Sequence, residues 1–141
     1  MASEAVIVEL QSGMNAIDQT VADGVGISKG ALLAQTDPRT AASSTTREAF
    51  AGIAVADKEA DDGALNLGSH QTGIFDLRAT SGAAIAAGEK VILSGANLVT
   101  GINVMGEFAD KALSAGYVVG TALEGTAAGT AETIEVDIGR R

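Results

Sequence analysis

The sequence predicts an all-β fold: a small β-barrel or β-sandwich of two similar halves, with at most one short helix and an N-terminal extension. Two observations carry this prediction. Short runs of aliphatic and β-branched residues alternate with polar ones and are separated by Gly, Asp and Asn turns. A weak internal repeat also runs along the chain. Residues 1–20 read as an N-terminal strand or arm, and residues 21–141 as one β domain.

The elements follow in order. Ala5–Leu10 (AVIVEL) is rich in β-branched residues and reads as a strand. Gly13–Gly26 gives no clear period. Ala31–Gln35 is a short apolar strand after the turn Ser28–Gly30. Thr36–Thr46 (TDPRTAASSTT) is polar, holds the only Pro, and reads as an exposed loop. Phe50–Ala56 resumes the apolar pattern, and Asp57–Gly63 (DKEADDG) is a charged turn. In Gln71–Ala79, Phe75, Leu77 and Ala79 alternate with Asp76 and Arg78, the pattern of a half-buried strand. Lys90–Leu93 and Leu98–Val99 flank the turn Ser94–Asn97. Tyr117–Leu123 and Thr133–Ile138 close the chain. One stretch is a helix candidate: Met105, Phe108, Ala109, Ala112 and Leu113 recur at spacings of three and four, enough for one to three turns.

The repeat is read from three matches. Ile27–Gly30 leads to Ala31–Leu33, as Ile85–Gly88 leads to Val91–Leu93. Gly52–Val55 leads to the turn Asp61–Gly63, as Gly120–Leu123 leads to Gly125–Gly129. After each of those turns comes an alternating strand, around Phe75 and around Val136. Each half alone would leave an apolar face exposed, so the halves belong together.

Composition removes many chemistries. There is no Cys, hence no disulfide, thiolate metal site or Cys nucleophile. His70 is the only His, so one chain cannot form a two-His metal site. Three Phe, one Tyr and no Trp supply few stacking surfaces for bases or sugars. A net charge of −9 repels nucleic acid and anionic membrane surfaces. A hydrophobic content of 46% separates the chain from acidic disordered tails. Ala makes up roughly a fifth of the residues, so the core is thin and subunit contacts are expected to supplement it. No N-terminal basic region precedes an apolar run, and no apolar run approaches the roughly 20 residues of a membrane helix, so a soluble protein without a secretory signal is expected.

The remaining features read as structural. His70 lies in the Gly68–Gln71 sequence GSHQ, a turn without an identified catalytic partner. Asp57, Glu59, Asp61 and Asp62 alternate in part, but Gly63 is misplaced for a calcium loop and no Glu follows at the required distance. They read as a solvated acidic turn. Gly116–Gly120 and Gly125–Gly129 lack the Lys of a phosphate cradle. Ser43, Ser44, Thr45 and Thr46 lack a nucleophile elbow and read as loop. No catalytic, cofactor-binding or metal-ligating residue is assigned.

Gly73–Leu77 (GIFDL), Ala84–Val91 (AIAAGEKV), Val119–Glu124 (VGTALE) and Thr133–Ile138 (TIEVDI) occur in that order, after Phe50–Val55 (FAGIAV). This succession resembles the small capsid decoration, or cement, proteins of tailed phages, over roughly Gly26 to Ile138. Residues 1–20 are longer than that pattern, and Thr36–Thr46 and Ile102–Ala115 look inserted. The resemblance implies a non-enzymatic virion protein on the outer surface of an icosahedral capsid. Its partners would be the major capsid protein and itself, as a homotrimer, with no nucleic acid, membrane or cofactor. It would bridge capsid subunits and stabilise the expanded shell. The alternative is a small β-rich ligand- or glycan-binding module, which needs a pocket with aromatic or convergent polar groups. The expected subunit or capsid contacts are Val6, Ile7, Val8 and Leu10, on a terminal strand that either begins the β domain or adds to a neighbour's sheet edge.

Overall fold

The computed structural model describes residues 3–9, 16–80, 82, 84–127 and 132–139. Among these residues there are eleven strands, a run of 3-10 turns and one short helix. The strands are β1 (Val6–Glu9), β2 (Ile17–Thr20), β3 (Leu32–Asp37), β4 (Thr40–Ser43), β5 (Phe50–Ala54), β6 (Asn66–His70), β7 (Ile74–Ala79), β8 (Lys90–Gly95), β9 (Leu98–Gly101), β10 (Val118–Ala122) and β11 (Thr133–Asp137). The 3-10 turns (Ile102–Phe108) and helix α1 (Ala109–Ser114) lie between β9 and β10.

The strands form two closed barrels. The first runs β2-β4-β3-β5-β6 and returns to β2. The second runs β7-β11-β10-β8-β9 and returns to β7. Each is shut by one parallel pair, β2–β4 or β7–β9, among antiparallel ones. β1 lies along the first half of the β7 edge whose second half pairs with β9.

The barrels are copies of one another at the level of single hydrogen-bonded pairs. Thr20 opposes Thr40 as Arg78 opposes Leu98. Leu33 opposes Ser43 as Val91 opposes Gly101, and both pairings bulge before the turn, at Gln35/Asp37 and Leu93/Gly95. Leu33 opposes Gly52 as Val91 opposes Gly120. The isolated bridge Ile27–Lys58 matches the bridge Ile85–Thr126. The two matches through Ile27/Ile85 and Gly52/Gly120 are thus as the sequence has them, and the third is corrected. The counterpart of β11 is β6, while β7, which carries Phe75, corresponds to β2. Alternation marks any half-buried strand, so period two alone could not tell which strand was which.

Three short strands escape the sequence pattern. Thr36–Thr46 is not a loop throughout: it holds the end of β3 and all of β4. Gly13–Gly26 holds β2, so the extension assigned to residues 1–20 gives its last four residues to the first barrel. His70 is not in a turn but ends β6. The inward positions of these strands are Gln19, Ala41, Leu67 and Ser69, only one of them a large apolar residue. The first barrel can use such residues because its interior is small: Val21, Ile27, Ala31, Leu33, Ala41, Ala51, Ala54 and Leu67 fill it. The helix candidate is present as the 3-10 turns followed by α1, interrupted at Gly106 (φ 54°). It has no counterpart in the first barrel, where β4 and β5 are joined by the short segment 44–49.

Leu32, Phe50 and Ile53 of the first barrel join Phe75, Leu77, Leu93 and Val136 of the second in one buried cluster. Each such side chain contributes about 2 kcal/mol by burial, so this contact is a large share of a typical domain's stability. Asn97, at the β8–β9 turn, is buried there, and its Oδ1 accepts a hydrogen bond from Leu32 N at 2.9 Å. Ser44, read as loop from sequence, is also buried and donates from Oγ to Gly95 O at 3.1 Å.

Glycine is required where a strand crosses close behind the bulge in β5. A Cβ on Gly52 (φ 126°) would lie 2.7 Å from the His70 carbonyl oxygen and 2.6 Å from Gln71 Nε2. Gly63 (φ 81°) has open space around it. Gly52→Ala is therefore expected to cost about 3 kcal/mol and Gly63→Ala about 1 kcal/mol. Denaturant unfolding checks this, and equal losses would contradict the close-approach account.

Candidate interaction surface

β1 is the feature that the barrels leave over. Among the described residues it is the one strand with a single neighbour, β7, so its outer edge carries unpaired backbone groups. Ile7 opposes Phe75 and Val6 opposes Asp76, with a bulge before Glu9. Ala5 N donates to Gly30 O at 2.7 Å, which ties the strand to the first barrel as well. Gly30 (φ 86°) makes this approach possible, since a side chain there would collide with the backbone of Ala5.

Three of the four residues expected as contacts lie on this strand, and Leu10 falls outside the described residues. Val6, Ile7 and Val8 are 60%, 39% and 47% exposed. Alternation puts Val6 on one face and Ile7, before the bulge, on the other, so both faces carry exposed apolar surface. Further exposed apolar side chains sit on the segment between β9 and β10: Val104, Phe108 and Leu113. Beneath them Ile102, Met105 and Tyr117 pack on Ile92 and Val118, which fixes the segment to the outside of the second barrel.

A groove of about 440 Å³ runs between β1 and the two barrels, lined mainly by Ala5, Val6, Ile7, Ile53, Phe75 and His70. The His70 ring is tilted against Phe75, centroids 5.5 Å apart. Burial lowers its pKa below the ordinary 6.5, and the Lys29 charge lowers it further. The lining is mostly apolar, with Glu4, Lys29 and His70 as its ionisable side chains, and suits a peptide segment better than a sugar stacked on broad aromatic faces.

The acidic turn Asp57–Gly63 is more than a solvated loop. Its centre is the buried Lys58, which the sequence reading passed over. Lys58 Nζ donates to the carbonyl oxygens of Asp23 (2.8 Å), Glu59 (3.1 Å) and Val25 (3.4 Å) and lies 3.3 Å from Asp62 Oδ1. A hydrogen bond from Ala64 N, opposed by some desolvation and aided by Lys58, holds the Asp62 carboxyl below its ordinary range. The cation at the centre of the turn is thus one the chain carries itself, held by three carbonyl oxygens and the carboxylates of Asp62 and Asp23. Among the described residues no group of three or more His, Asp or Glu is placed to hold a metal ion. No helix there is long and apolar enough to cross a membrane.

Two outcomes test these environments. Lys58→Met leaves three carbonyl oxygens without their donor and is expected to cost about 2–4 kcal/mol in denaturant unfolding. A loss under 0.5 kcal/mol would contradict the role given to Lys58. His70 titrates near 6.5 when unfolded and lower when folded, so the unfolded state binds more protons in between. Stability should fall as pH drops through that window, and His70→Gln should flatten that part of the Tm profile. An unchanged profile would contradict the burial account.

These surfaces face outward from two closed barrels. A family model described as phage cement protein matches residues 10–138, nearly the whole chain and all of both barrels. No curated protein sequence matches. The association of such proteins with the phage capsid is structural in kind. On a match of this extent, the chain belongs to the phage cement protein family.

Proposed function

We propose that the protein binds the outer surface of an icosahedral phage capsid and bridges neighbouring major capsid protein subunits, stabilising the expanded shell. The family match over residues 10–138 carries this reading. The physical features agree with it. A net charge of −9 suits a protein that need not meet DNA and keeps it soluble before it binds. Small contacts on several capsid subunits add by avidity, so no single large interface is needed. The protein acts without catalysis, as a homotrimer in which each copy presents the β1 surface. Val6, Ile7 and Val8, together with Leu10, make the subunit or capsid contacts. The free edge of β1 offers main-chain hydrogen bonds to an extended segment, and its exposed side chains supply apolar area.

Co-sedimentation with capsids tests this reading. Saturable binding to expanded shells, at a fixed ratio and not to unexpanded ones, is the expected result. Absence of binding to either shell by the folded protein, across a range of salt, would sink it. The triple variant Val6→Asn, Ile7→Asn, Val8→Asn should fold with nearly unchanged Tm yet bind expanded shells at least tenfold more weakly. Wild-type binding by that variant would remove β1 from the contact surface.

A further inference from the structure

The first barrel departs from the second at one end. By the strand register, Ile17, Gln19 and Gln35 of the first stand where the second has Phe75, Leu77 and Leu93. The second-barrel residues are buried in the shared cluster. Their counterparts, with Asp37, Pro38 and Arg39, line an open groove of about 370 Å³ at the mouth of the first barrel. Contact with solvent accounts for Gln35, Asp37 and Arg39. It does not account for Gln19, which is only 2% exposed.

Gln19 adds little to the free fold. Its Nε2 donates to Ala51 O at a long 3.4 Å. That carbonyl oxygen already accepts from Gln71 Nε2 at 2.7 Å and from Ser69 Oγ at 3.3 Å. Gln19 Oε1 is buried and has no hydrogen-bond partner among the described residues. A buried acceptor left unpaired lowers stability, and Leu77 carries no such penalty in the second barrel. Arg39 adds another: it holds left-handed backbone (φ 50°) where the second barrel has Asn97, a residue that tolerates it. Polar groups kept at one mouth against the stability of the fold mark a position retained for binding.

We propose that this groove is a second capsid contact and takes a basic side chain of the capsid protein. The aliphatic stem of that lysine or arginine lies along Ile17 and Pro38, and its N–H groups donate to Gln19 Oε1 and the Asp37 carboxylate. Charge argues for this occupant. A chain of net charge −9 is drawn to a shell where basic groups meet it. Asp18 and Asp37 are exposed around the groove, and the Arg39 guanidinium is turned onto the Asp18 carbonyl oxygen at 2.8 Å. The groove shares no residue with β1, so the two contacts can add by avidity. This inference rests on the capsid reading and names the partner chemistry at a further site.

Co-sedimentation of the full chain with expanded shells, paired with thermal unfolding, tests it on wild type, Gln19→Leu and Asp37→Asn. Gln19→Leu installs the residue of the second barrel. It should raise Tm by a few degrees and yet weaken shell binding at least tenfold. Asp37→Asn changes an exposed side chain. It should leave Tm unchanged, weaken binding at least tenfold and flatten the salt dependence of what remains. A purely structural Gln19 would give the reverse, a lower Tm with unchanged binding, and would overturn the proposal. Wild-type binding by both variants would also overturn it and leave the capsid reading standing. A wild type that binds no shell would remove the capsid reading and this inference with it.

Discussion

The seating of the second barrel against Leu32, Phe50 and Ile53 is the contact on which the rest of the molecule depends. Half of the residues that fill the first barrel are Ala, so its interior offers less apolar area than that of the second. Leu32 on β3 and Phe50 and Ile53 on β5 belong instead to the cluster that also holds the core of the second barrel. The two barrels therefore stand as one cooperative unit. The same contact buries Asn97 and Ser44, whose hydrogen bonds keep the interface from leaving backbone groups unpaired.

Closure has a second consequence. Among the described residues, ten strands have both neighbours within a barrel, which leaves almost no edge there for unwanted pairing. β1 is the exception, and Gly30 is the residue that lets its N-terminal approach come close. A strand that is tied at Ala5 and along β7 but open on its other edge is suited to recognition by main-chain pairing. On the proposed reading, the rest of the molecule is a rigid spacer that holds this strand and the β9–β10 segment over the shell.

Much of this was legible in the sequence, and the gaps have physical causes. The strands around Ile53, Phe75, Val91, Val119 and Val136 announce themselves because large apolar residues face a shared core. The turn glycines Gly30 and Gly88 and the bulge position at Gly52 and Gly120 give the duplication away. β2, β4 and β6 stay hidden because Gln19, Ala41 and Ser69 can fill a narrow barrel without an apolar signature. The β1 residues proposed as contacts could be picked out as an apolar run, although only the fold shows that both faces of the strand are exposed. Lys58 was invisible among its acidic neighbours, since nothing local tells a buried lysine from a solvated one.

The most direct test of the capsid role measures the shell rather than the protein. Expanded, DNA-filled capsids lacking the protein are heated with and without it, and the temperature of DNA release is recorded. Saturating protein should raise that temperature, in step with the fraction of sites filled. A release temperature that does not move at full occupancy would contradict the stabilising role, whatever the affinity of binding.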